Sequence, residues 1–223
     1  MNSSRVSGAL SRRSFLGLFS SAVLTTRLLA DTRCQMVPGG EFCVSQVDFA
    51  QFAQDAFQPQ QMPEWCWAAC ISMVFAFYGH AVSQARIVSE VYGAPVNMPA
   101  GYGITVARQL NRVWKDDNGS RFRSVLTAAY DADAGVDTLN NAMLISELDG
   151  DHPIVIGAGS HAMVLTMMQY AVTQFGPNVR RCGVFDPWPG KGARDLTVPE
   201  MVPLRQGGAF RFAATVRVQD LEN

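Results

Sequence analysis

Cys66 stands between two tryptophans in QQMPEWCWAAC, residues 60–70, at the entrance to the apolar run WCWAACISMVFAFYG. A thiol attacks carbonyls as the thiolate. The first turn of a helix favours that form, because its free amides and dipole attract negative charge. Pro63, just upstream, is a helix-start signal. A thiol so placed needs a base or an ion-pair partner, usually histidine, and the chain has three. His80 follows Gly79 at the end of the apolar run and reads as a surface residue. His152 precedes Pro153 in a loop. His161 follows the flexible GAGS and opens HAMVLTMMQY, where a strand start beside a glycine-rich loop can aim an imidazole into a cleft. Asp186, in VFDPWPG, closes a β run stopped by Pro187, and a carboxylate there can accept from an imidazole N–H and fix its tautomer. Upstream of the thiol, Gln60 and Gln61 both offer amide donors. Either one, with a backbone N–H at Cys66, can hold a developing oxyanion.

Each residue also has a plainer reading. A lone histidine at a strand start is more often structural, and an Asp before Pro is more often a turn former. It is their company that points to nucleophilic chemistry. Other motifs are weaker. GYG at 101–103 lacks the third glycine and the strand-to-helix setting of a dinucleotide loop. Cys66 and Cys70 have no second ligand pair at metal-site spacing, so neither a metal nor a cofactor is expected. No GxSxG elbow supports a serine hydrolase, and Ser160 beside His161 reads as loop. Met163, Met167 and Met168 read as core or cleft wall.

The elements that must position these groups follow from the pattern. WCWAACISMVFAFYG predicts a buried helix ending at Gly79, and SQARIVSEVYG a second helix with Ser83 as cap. GITVARQLNRVWKD predicts a third helix, and VDTLNNAMLISELDG a fourth, capped near Asp137. RFRSVLTA alternates and predicts a strand. HPIVIGAG, HAMVLTMMQY, RRCGVFDP and AFRFAATVRV are β-rich runs between Gly, Pro and Asn turns. Helices first and strands after predict an α+β fold.

With 223 residues, 48% of them hydrophobic, the chain can build a sizeable core in one domain. A formal net charge of −1 without a basic stripe excludes nucleic acid and anionic membrane surfaces as expected partners. Residues 1–30 read as an export signal: Arg12 and Arg13 stand before the short apolar run LFSSAVL, and Ala30 is a small residue at the expected cleavage point. The adjacent arginines suit the twin-arginine type. That reading makes the mature protein exported, periplasmic or secreted, and free of the membrane once the signal is removed. Residues 31–58 read as an extended N-terminal arm, and 59–223 as the catalytic domain. Cys34 and Cys43 flank a Pro-Gly-Gly turn and can close a short covalent loop. With five cysteines at least one is left over, and Cys66 is the natural free thiol. Nothing in the sequence supports a pairing of Cys70 with Cys182 or fixes the oligomeric state.

The series Gln, then Cys with a following Trp, then His at a strand start, then an acid two residues before Trp resembles the papain-like cysteine peptidases. WCWAA is similar to the short bacterial members of that group. The resemblance spans most of residues 60–190 and implies a helical half carrying Cys66, packed on an antiparallel β half carrying His161 and Asp186, with the cleft between. It implies that Cys66 attacks, His161 protonates the leaving amine and Asp186 orients His161, at a position usually held by Asn and in bacterial branches often by Asp. It selects Gln60 over Gln61, because the family glutamine stands six residues before the cysteine, and gives Trp188 the role of covering the His–Asp bond. The implied substrate is polypeptide. An amidase or acyl transferase with the same triad, or a silent papain-like binding module, are the alternatives. Two features depart from papain itself: 95 residues (161 − 66) separate Cys from His, against roughly 130–150 in the papain type, and Glu64-Trp65 replaces Gly-Ser before the cysteine.

Overall fold

The computed structural model describes residues 32–222. The export signal expected over residues 1–30 lies outside them. The described chain opens with a hairpin of β1 (Arg33–Val37) and β2 (Gly40–Gln46), turned through Gly39 and Gly40, which both have positive φ. Cys34 and Cys43 are register partners and form the disulfide expected from the turn. A short helix α1 (Phe49–Gln51), with Asp48 accepting from the Gln51 amide, runs into a π-helical turn, Phe52–Ala56. Residues 32–58 are therefore largely folded rather than an extended arm. The reason is a period-2 pattern that buries Cys43, Ser45 and Val47 on one face.

The helix α2 (Cys66–Phe77) is buried on every side from Trp67 to Phe75, as expected of a helix that is apolar all round. It gives way to Gly79 in a left-handed conformation and then to α3 (Gln84–Tyr92), which buries Gln84, Ile87 and Val88. The expected third helix is cut short. Only α4 (Gly103–Gln109) forms, and Arg112–Lys115 is strand β3. Val113 and Trp114 pair with β4 (Arg121–Asp131), and the Trp114 ring is buried with its Nε1 donating to the Gln109 carbonyl. Tertiary pairing of a β-branched and an aromatic residue overrides the helical period there. The fourth helix also starts later than expected. Val136–Asp137 is the short strand β5, and α5 (Asn141–Asp149) is capped by Asn140, whose side chain accepts from the Met143 amide.

The remaining elements are β6 (Ile154–Ala158), β7 (His161–Thr173), β8 (Gly176–Asp186), β9 (Gly192–Asp195), α6 (Val198–Met201) and β10 (Phe210–Asp220). All the strand pairs are antiparallel and form one sheet, in the order β1-β2-β7-β6-β10-β4-β3. The long strand β7 organises it. Along one edge β6 pairs with residues 161–165 and β2 with 167–171, end to end; the other edge carries β8, which carries β9. The fold is mixed α+β, with an N-terminal hairpin built into the β half. The helix α2 lies against β7 and β6, and α5 against β2, β7 and β8. Among the described residues no helix is long and apolar enough to cross a membrane.

Candidate active site

Cys66 is the first residue of α2, half-buried, with Trp65 at the cap position. The Trp65 side chain makes no capping bond, so the first-turn amides remain available to an anion. The tryptophans have a different task. Trp65 Nε1 donates to the Val96 carbonyl at 2.9 Å, Trp67 Nε1 to the Met98 carbonyl at 3.2 Å, and the Glu64 amide to Asn97 Oδ1 at 3.0 Å. Both indoles are buried, and together they fasten the segment 93–102 across the start of α2. The W-C-W spacing is thus a clamp around the thiol.

His161 and Asp186 meet because β7 and β8 are antiparallel neighbours: one opens β7, the other closes β8. His161 Nε2 donates to Asp186 Oδ1 at 2.6 Å. Cys66 lies near enough to the same imidazole to raise its pKa alongside Asp186. Burial disfavours a charged imidazole here, but the interactions with Asp186 and Cys66 outweigh it and lift the His161 pKa to about 9. Asp186 is buried, which disfavours its charge. Donors from His161 and Arg194 and the Trp188 amide overcome that and hold its pKa down to about 2. The Trp188 ring stands edge-on to His161, with centroids 6.3 Å apart.

Gln60 is buried on the loop before Cys66, and its backbone amide donates to the Pro187 carbonyl at 2.7 Å. That bond ties the loop before Cys66 to the turn after Asp186. Its side chain is engaged locally: Nε2 donates to the Met62 and Pro63 carbonyls at 3.0 and 2.7 Å, while Oε1 is buried without a donor. Gln61 is exposed, and its backbone amide donates to Gln84 Oε1.

Three features escaped the sequence reading. Gln84, fully buried, holds the loop through Gln61, Gln58 and the Pro59 carbonyl. Arg194 on β9 donates from Nε to Asp186 Oδ2 at 2.8 Å and grips both oxygens of Glu200. Nothing local in GKGARDL signals this; only the β8–β9 register brings Arg194 to the acid. His80, expected at the surface, is buried between Asp116 and Asp220 and stacks on Phe122 at 4.1 Å. Its partners lie far along the chain, so the adjacent Gly79 misleads.

Cys70 and Cys182 are both free and buried, and burial raises the pKa of each, that of Cys182 to about 12. Among the described residues one compact group of potential metal ligands occurs, Cys34, Glu41 and Cys43, and its two thiols are spent in the disulfide. A family model described as "Peptidase_C39 like family" matches residues 46–202. No curated protein matches the chain.

Proposed function

The chain belongs to the Peptidase_C39 like family, a family of papain-like cysteine peptidases, and on that premise we propose that it is an exported cysteine peptidase hydrolysing peptide bonds through Cys66, His161 and Asp186. The observation that carries the reading is the 2.6 Å bond from His161 Nε2 to a buried Asp186, on an imidazole that also interacts with Cys66. In this mechanism Cys66 Sγ attacks the scissile carbonyl carbon. His161, charged at neutral pH, gives its proton to the leaving amine. Water then adds to the acyl-enzyme carbonyl, with His161 as base, and releases the acid and the thiol. Asp186 stays ionised and orients the ring. We assign the oxyanion to the Cys66 amide and Gln60 Nε2. Gln60 has both N–H groups on neutral carbonyls, and exchanging one for a charged oxygen is favourable, because charge-assisted bonds are roughly twice as strong.

The α+β arrangement, with the nucleophile at a helix start and the His and acid on neighbouring strands, supports a papain-like fold. We divide the chain by function into an export signal (1–30), an N-terminal arm (31–58) and a papain-like catalytic domain carrying all the proposed site residues (59–223). In this reading the substrates are polypeptides met outside the cytoplasm.

Two experiments test these points. The protein, incubated with a denatured protein mixture, is expected to generate new peptide termini by mass spectrometry, and a Cys66→Ser control none. Termini absent while Cys66 still reacts with an active-site thiol probe would turn the assignment to an amidase or acyl transferase. Absence of both would leave a binding module. For export, the double variant Arg12→Lys, Arg13→Lys is expected to remain in the cytoplasm with residues 1–30 uncleaved. Normal export of that variant would rule out the twin-arginine route.

A further inference from the structure

The carboxylate of Asp186 is surrounded by donors. Oδ1 accepts from His161 Nε2 at 2.6 Å and from the Trp188 amide at 2.9 Å, and Oδ2 accepts from Arg194 Nε at 2.8 Å. The other end of the guanidinium is fixed too. Nη1 and Nη2 meet the two Glu200 oxygens at 3.0 and 2.8 Å, and Glu200 closes a capping box with Thr197 at the start of α6. The Arg194 fork is therefore held in its own plane, and its Nε–H has one direction to point.

An asparagine at 186 can offer one oxygen to His161 and Trp188, but its amide nitrogen would then face the Arg194 Nε–H, donor against donor. A buried polar atom left without a partner is costly. We propose that Arg194 is a positioning residue that sets the Asp186 carboxylate for His161, and that it is the reason this position requires Asp rather than Asn. The proposal rests on the catalytic reading of Cys66, His161 and Asp186 given above.

The coupling has a specific genetic signature, because glutamine places its Oε1 as many bonds from Cα as arginine places Nε. In Asp186→Asn, Arg194→Gln the glutamine oxygen can accept from the asparagine nitrogen and remove the conflict. The test compares wild type, the two single variants, this double variant, and Asp186→Asn, Arg194→Lys, which keeps a donor at 194. Iodoacetamide labelling of Cys66 at mildly acidic pH and thermal melting are read for each. Asp186→Asn is expected to slow labelling by about 10- to 100-fold, the range an unpaired buried polar group implies. The Gln double variant is expected to recover to within about fivefold of wild type, with its melting temperature rising in parallel; the Lys double variant is expected to stay as slow as Asp186→Asn.

If Arg194 only braces α6 through Glu200, both double variants are slower and less stable than Asp186→Asn alone, and the proposal is overturned. It is equally overturned if the Gln double variant labels no faster than Asp186→Asn. A wild-type Cys66 that labels no faster than Cys70 overturns the catalytic reading itself and, with it, any positioning role; the melting data then report separately whether the 186–194 pair is coupled.

Discussion

Cys66→Ser is expected to fold as the wild type does and to lose peptide hydrolysis by at least about 10³-fold, leaving only what binding and the oxyanion donors supply. The change swaps one atom at a half-buried helix start, so neither the core nor the indole clamp is disturbed. A serine at this site lacks what makes the cysteine effective: a hydroxyl is far harder to ionise, and the helix start and His161 are matched to a thiolate. The checks are the cleavage assay and melting curves on the same preparation. Full activity in the serine variant would remove Cys66 from the mechanism. A large drop in melting temperature would mean that the thiol packs rather than reacts.

His161→Ala is expected to slow hydrolysis by about 10²–10⁴-fold, the usual share of a positioned acid–base group, and to slow Cys66 labelling in parallel. Its pH behaviour is the sharper readout. In wild type the imidazole has its pKa lifted from 6.5 to about 9 by Asp186 and Cys66 acting against burial. The protonated ring, which in the proposed mechanism supplies the leaving-group proton, persists through neutrality and is lost as pH rises through about 9. Activity is expected to fall above that pH, and the limb to be absent in the alanine variant. Stability follows the same sign. A folded pKa above the unfolded one contributes fully below pH 6.5 and is lost as pH rises through about 9, so the variant's stability deficit should shrink in alkali. A deficit that grows with pH would show that His161 is neutral when folded.

The parts legible in the sequence were those with a local signature. Cys66 stood out because two tryptophans and a proline mark the start of an all-apolar helix. His161 and Asp186 stood out because each sits at the end of a β run beside a chain-breaker. What was missed depends on register. Val113 and Trp114 fit a helical period as well as a strand, and only pairing with Phe122 and Arg123 decides for the strand. The hairpin at 33–46 looked like an arm because its buried face is short and interrupted by polar Ser45. Arg194 reached Asp186 across a strand pair, with no spacing that a linear reading would notice. His80 was assigned by its neighbour Gly79, although its environment is made by Asp116 and Asp220.

The bond from the Gln60 amide to the Pro187 carbonyl joins two points 127 residues apart (187 − 60). A chain that has not yet paired β8 with β7 holds Cys66 and His161 but no carboxylate behind the ring, and its nucleophile loop has nothing at residue 187 to close against. Closing so long a loop is one of the slower events in folding, because its entropy must be lost before the contact is gained. On the proposed mechanism, the triad is complete only once β8 has joined β7, so assembly of the site depends on contacts distant in the sequence.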